Sequence, residues 1–184
     1  AGNHAQALAY TASTLGINST LVMPFSAVET KVKATKNYGG EVVLTDKDIS
    51  VTALCIQKSR GLTLVHPYDD PLVIAGAGTV GKEIVEDVPG VDVVIVGVGG
   101  GGLISGTAVS VKAANPMARI IGVEPEGAAA MTAALLENHP VNLESLNTVA
   151  DGLAAPYAGE HTLAHVKAYT DDVVIVTDDE IIEA

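Results

Sequence analysis

Apolar and polar positions alternate between two rhythms along this chain of 184 residues. Short continuous runs of aliphatic, often β-branched residues read as buried strands. Longer stretches with apolar positions three and four apart read as amphipathic helices. On that basis helices are predicted over 4–15, 28–38, 49–60, 74–85, 102–114 and 127–137, and strands over 19–23, 41–44, 62–65, 93–98, 119–123 and 173–176. Asn3 and Asp48 are predicted N-caps. Gly16, the Gly39-Gly40 pair and Gly61 are predicted helix stops. After His139-Pro140 the rhythm weakens, and it returns only with Val173. The final residues, Asp178 to Ala184, read as the first turn of a helix. With an opening Ala1-Gly2-Asn3, both ends are expected to be cut ends of a longer chain.

Strands that alternate with helices and are apolar at successive positions predict an α/β fold, with parallel sheets covered by helices on both faces. Two prolines and two aspartates interrupt the rhythm at Pro67-Tyr68-Asp69-Asp70-Pro71, which is the predicted seam. It divides the chain into a small α/β domain over 1–70 and part of a larger domain over 71–184, with the helix around 74–85 as the connection.

Composition changes this picture mainly by exclusion. The formal net charge is −12, and the ten Lys and Arg residues are scattered. No basic face is available for nucleic acid or for an anionic membrane surface, so neither is an expected partner. Residues 93–111 carry no charge and approach the ~20 residues of a spanning helix. Six glycines lie within them, however, so a strand, a glycine loop and a helix start explain the segment better. Cys55 is the only cysteine. It leaves no disulfide framework or cysteine zinc cluster and fits a reduced, cytoplasmic setting. The opening residues carry no signal-peptide pattern. His161 and His165 are spaced i, i+4 but lack an evident third ligand, so no metal is expected there.

The strongest chemical signal is Gly99-Gly100-Gly101-Gly102, which follows the apolar run 93–98 and leads into the helix predicted over 102–114. Glycines let backbone N–H groups converge without side-chain obstruction, and a helix N-terminus adds partial positive charge. Together they predict an anion site, most naturally for phosphate. The residues alone do not choose the phosphate. Gly97, Gly99 and Gly102 also satisfy G-x-G-x-x-G, and Glu124 stands at the end of the next strand, where a dinucleotide site places its acidic ribose partner.

Other motifs choose. Ala1-Gly2-Asn3-His4-Ala5-Gln6 resembles the G-N-H-A-Q loop of fold-type II pyridoxal-phosphate (PLP) enzymes, which share a tryptophan synthase β-like architecture. His66 to Pro71, Ala75-Gly76-Ala77-Gly78-Thr79, Gly122 to Gly127 and Val149 to Gly152 look like segments of the threonine/serine dehydratases, in the same order. The resemblance implies that Asn3 meets the phenolic oxygen of the cofactor ring, and that Gly99, Gly100, Gly101, Gly102 and Leu103 hold its phosphate. It also implies that Gly2, Asn3 and His4 face the substrate carboxylate. The implied activity is β-elimination of a small hydroxy amino acid to a 2-oxo acid and ammonia, in a homo-oligomer.

The Schiff-base lysine of such enzymes precedes the G-N-H loop, so no lysine of this chain is expected to serve, and this chain alone is expected to be weakly active or inactive. Ala77 stands for the usual Gln and Tyr68 for Phe. Members that bind a metal pair the G-V-E-P glutamate with an aspartate six residues on. Here Glu124 is followed at that spacing by Ala130, so no metal is expected by that route and a structural role is expected for Glu124. An NAD-binding oxidoreductase and a non-catalytic folded fragment are the alternative readings.

Overall fold

The computed structural model describes residues 2–184. The chain falls into two compact units, residues 1–65 and 66–184.

In the first unit β1 (Thr20–Pro24) and β2 (Glu41–Thr45) run parallel, with Thr20 opposite Glu41 and Pro24 opposite Thr45. The helices are α1 (Asn3–Thr14), α2 (Glu29–Asn37) and α3 (Ile49–Arg60). A small core gathers Ala5 and Ala9 of α1 with Leu21 and Met23 of β1. Alanine is what allows α1 to lie close to the strand. α1 stops where the sequence says it should. Gly16 takes φ +68°, its amide donates to the Ser13 carbonyl, and the Ile17 amide donates to the Ala12 carbonyl. That is a Schellman closure, which needs a left-handed residue. Asp48 caps α3, its Oδ1 accepting from the Val51 amide at 2.8 Å.

Two expectations are corrected here. Asn3 is not the cap of α1. Gly2 holds that position, no side chain caps the helix, and Asn3 is the first helical residue, with an exposed side chain. Residues 62–65 form no strand, because no neighbouring strand shares a ladder with them among the described residues.

The second unit is a parallel three-stranded sheet of order β3 (Val93–Gly97), β4 (Arg119–Pro125), β5 (Asp172–Val176). Its helices are α4 (Pro71–Asp87), α5 (Gly102–Ala114), α6 (Ala130–Glu137), α7 (Glu160–Tyr169) and α8 (Asp178–Glu183). Val94, Val96 and Ile120 of the sheet, Ile104 and Val111 of α5, Met131 of α6, and Leu163 and Val166 of α7 form one buried cluster. The alternate side chains of β3, Val93 and Ile95, are exposed in this chain.

α4 starts at the predicted seam. Asp70 caps it by accepting from the Leu72 and Val73 amides, and Pro71 takes the first position, where its missing N–H costs nothing. α4 is part of this unit. It lies so close to α5 that a Cβ on Gly106 would be 2.2 Å from the Ile74 carbonyl. The helix expected over 127–137 is shortened to a 3₁₀ turn at Glu126–Ala128 followed by α6. α7, which the weak rhythm beyond His139 does not predict, completes the core.

Candidate phosphate-binding site

β3 delivers the chain to the glycine loop. The Val98 amide donates to the Val123 carbonyl at 2.8 Å, holding the chain beside β4 for one residue past the strand. The chain then turns through Gly99, Gly100 and Gly101, and α5 begins at Gly102. Gly101 takes φ +92°, a left-handed conformation that favours glycine.

Each glycine is packed closely. A Cβ on Gly99 would lie 3.0 Å from the Leu153 carbonyl, one on Gly100 2.5 Å from the Tyr68 ring, and one on Gly101 2.5 Å from Cε of Met131. Tyr68 walls the loop at Gly100 and Gly102, Leu153 at Gly99, and Met131 with Thr162 at Gly101. Thus the structure brings together three segments that the sequence analysis singled out separately: the loop, the 66–71 turn and the stretch after Val149.

The carbonyls of the loop face inward. The buried Thr162 hydroxyl donates to the Gly100 carbonyl at 2.7 Å. Ser105 donates to the Gly101 carbonyl twice, from its amide at 3.0 Å and from its hydroxyl at 2.7 Å. In a trans peptide the C=O and the next N–H point in opposite directions. Fixing those two carbonyls therefore aims the amides of Gly101 and Gly102 away from the protein interior. Among the described residues, none of the amides of Gly99 to Ile104 has a protein acceptor. α5 has no capping side chain and no acidic residue in its first turn. Converging unanswered donors at a helix N-terminus are what an anion requires. Gly99 to Leu103 therefore fit the phosphate of the cofactor that the resemblance implies.

The loop's surroundings are polar groups with their partners in place. Nδ1 of His66 accepts from the amides of Tyr68, at 3.3 Å, and Asp69, at 2.8 Å. An accepting Nδ1 places the proton on Nε2, which faces the Tyr157 hydroxyl at 3.4 Å. Burial holds the imidazole below its ordinary range, despite the nearby Asp69 and Asp70, so the neutral form is favoured. Tyr68 donates its hydroxyl to the Tyr157 carbonyl at 3.1 Å. Burial, aided by Tyr157, pushes that phenol far above its ordinary value.

Asp69 reaches across to α7. Oδ1 accepts from the amides of His161 at 2.9 Å and Thr162 at 3.2 Å, and Oδ2 from that of Glu160 at 3.2 Å. Gly159, the capping position, has no side chain, and a Cβ there would be 2.0 Å from Asp69 Cγ. Asp69 thus occupies the cap's place from 90 residues away. No role for Asp69, Ser105, Leu153 or Thr162 was read from the sequence, where Asp69 stood only as part of the 66–71 segment.

Glu124 does not match the dinucleotide reading. It is fully buried, and its carboxylate accepts from the Met131 amide at 2.7 Å, the Thr132 amide at 2.8 Å and the Thr132 hydroxyl at 2.7 Å. Burial raises its pKa against those three bonds, which favour the charged form. Its oxygens close the N-terminus of α6, which has no cap of its own, and are not offered to a ribose. The NAD reading loses its acidic partner on this ground. Nδ1 of His165 is bonded to the His161 carbonyl at 2.7 Å. Among the described residues no three His, Cys, Asp or Glu side chains form a metal-holding group. Nor, among the described residues, is any helix long and apolar enough to cross a membrane.

Gly2, Asn3 and His4 come together at the start of α1, in the first unit. No side chain caps this helix and its first turn holds no acid. The His4 imidazole contacts the Val65 carbonyl, with Nε2 at 3.2 Å. The Gly2 carbonyl accepts from the Gln6 amide.

The chain is 45% identical to an L-threonine ammonia-lyase of Thermotoga maritima over 187 residues, covering 100% of this chain and 47% of that one. A processed form of threonine deaminase isoform 2 from Solanum lycopersicum superposes with a TM-score of 0.91 at 42% identity, over 98% of this chain and 53% of that one. Maize serine racemase superposes with a TM-score of 0.94 at 40% identity, over 100% of this chain and 56% of that one. This chain therefore spans about half the length of the relatives it matches. The family described as pyridoxal-phosphate dependent enzyme matches all of residues 1–184, and the chain belongs to that family.

Proposed function

We propose that this chain seats the phosphate of PLP in an enzyme of the threonine dehydratase type, which eliminates the β-hydroxyl of a small hydroxy amino acid to give a 2-oxo acid and ammonia. The observation that carries this reading is the inward anchoring of the Gly100 and Gly101 carbonyls, with unanswered amides from Gly99 to Ile104. The names of these relatives support the reaction type.

The cofactor supplies an electron sink for negative charge developing at the substrate Cα. The chain's own residues do the holding. Amides of Gly99 to Leu103 and the N-terminus of α5 bind the phosphate dianion and fix the cofactor's position. Asn3, exposed at the start of α1, is the residue that the resemblance gives to the ring's phenolic oxygen. The start of α1 at Gly2, Asn3 and His4, which no side chain caps, would face the substrate carboxylate. On this reading residues 1–65 are the smaller, substrate-facing part and 66–184 the phosphate-holding part. A cytoplasmic setting, on the single cysteine, and assembly from identical copies, on the family resemblance, complete the reading.

The test is thermal unfolding of the chain with PLP, with pyridoxal, which lacks the phosphate, and with NADH. PLP should raise the Tm in a saturable way, and pyridoxal and NADH should leave it unchanged. Equal shifts from PLP and pyridoxal would remove the loop from the binding site.

A further inference from the structure

Glycines make room in the loop, but they also make it loose. Gly100 and Gly101 carry no Cβ to oppose a rotation of the peptide between them. A cradle built from them needs a pin from outside. The peptide between Gly101 and Gly102 is pinned by Ser105, on the loop's own helix. The peptide between Gly100 and Gly101 is pinned from α7, by Thr162.

The Thr162 hydroxyl is fully buried and has one proton to give. It accepts from the Gly159 amide at 2.9 Å, as a residue of its own helix turn does. An ordinary helix-start threonine needs no more than that. Here the proton goes to the Gly100 carbonyl at 2.7 Å, nearer than the Gly159 carbonyl at 3.2 Å. Asp69 holds the α7 turn that carries this hydroxyl, through the amides of Glu160, His161 and Thr162. The relay therefore runs from the Asp69 carboxylate through the α7 N-terminus to the hydroxyl, and from the hydroxyl to the loop.

We infer that Thr162 is a positioning residue for the phosphate cradle, its hydroxyl fixing the Gly100 carbonyl so that the Gly101 amide is aimed at the anion, with Asp69 holding Thr162 in place. This deepens the reading of the loop as a phosphate site and rests on it.

The test is titration of the ¹⁵N-labelled chain with inorganic phosphate, read at the Gly101 and Gly102 amides, for wild type, Thr162→Val and Thr162→Ser. The wild-type amides should shift and saturate. Valine keeps the shape without the hydroxyl and should move the Gly101 resonance before phosphate is added, then weaken binding about tenfold, the scale of one lost hydrogen bond. Serine restores the hydroxyl and should bind within about threefold of wild type, less than half a tenfold step in free energy. Resonances from β1 and β2 report whether the variants remain folded.

Should the valine variant not fold, Asp69→Asn carries the test. It keeps an acceptor at α7 but drops the charge, and should shift Gly101 and weaken phosphate by at least ~twofold, since charge-assisted bonds are the stronger ones. Valine binding that equals wild type overturns the inference, and so does serine binding as weak as valine. A wild-type loop that ignores phosphate overturns the cradle reading itself, and the inference falls with it.

Discussion

Helices α5 and α7 begin within hydrogen-bonding reach of each other and are finished in opposite ways. Both start after a glycine, and neither has a capping carboxylate or hydroxyl at the N-cap itself. At α7 a carboxylate arrives from Asp69 and satisfies three amides. At α5 nothing among the described residues arrives. α6 behaves like α7, with Glu124 supplying the carboxylate. The remaining helices divide the same way. Asp48 and Asp70 cap α3 and α4, and acids stand in the first turns of α2 and α8. Only α1 and α5 begin without an acid among the described residues, although the chain carries 22 acidic residues. Because a helix N-terminus is stabilised by negative charge, those two are where negative charge from outside would be most welcome. They are also the two that the family resemblance gives to the substrate carboxylate and the cofactor phosphate.

Removing the borrowed acid should have the largest effect. Asp69→Ala leaves three amides of α7 unanswered and frees the turn beside the loop. It should cost about 2–3 kcal/mol of stability, the scale of a lost cap with charge-assisted bonds. Urea unfolding followed by circular dichroism measures it. A loss under half a kilocalorie would mean that α7 does not depend on Asp69.

Filling the loop comes next. Gly101→Ala meets a left-handed backbone and the end of Met131. It should cost about 1–2 kcal/mol from the backbone alone. PLP should no longer raise its Tm.

A smaller effect should come from pH, through the turn that presents Asp69. His66 is favoured in its neutral form in the folded chain, with a pKa below the ordinary imidazole value. The unfolded chain therefore takes up this proton first as pH falls. The contribution is present above about pH 6.5, the unfolded value, and is lost as pH drops through that value toward the folded one. His66→Asn, which retains an acceptor for the Tyr68 and Asp69 amides, should flatten this part of the stability profile. An unchanged slope in the variant would assign the dependence to other groups.

Much of this was readable in the residues. The α/β rhythm, the ends of α1 and α3, and the strand–loop–helix around the four glycines follow from local chemistry. The Asp48 cap, Gly16 and the run 93–98 each act on near neighbours. What could not be read depends on distance along the chain. α7 lies in a stretch with weak periodicity, its cap position is a bare glycine, and the carboxylate that closes it is 92 residues from His161. The apolar run 62–65 has the composition of a strand, but a strand also requires a partner. Asn3 has a cap's chemistry, yet Gly2 takes the position and leaves the Asn3 side chain exposed. Glu124 matched a ribose-binding acid in spacing alone. Its burial against Met131 and Thr132 is a tertiary fact, and it reverses the role.

The smallest change tests the contrast most directly. Leu103 is about half exposed in the first turn of α5, so Leu103→Glu would give that helix the acid it lacks, with little disturbance of packing. Unfolding free energies of wild type, Leu103→Gln and Leu103→Glu are measured with and without inorganic phosphate. Without phosphate the glutamate variant should be more stable than the glutamine variant by about 0.3–1 kcal/mol. With phosphate at a hundred times its Kd, wild type should gain about 2.7 kcal/mol, and the glutamate variant much less. Equal gains in all three chains, or no gain in wild type, would contradict an α5 N-terminus kept open for an anion.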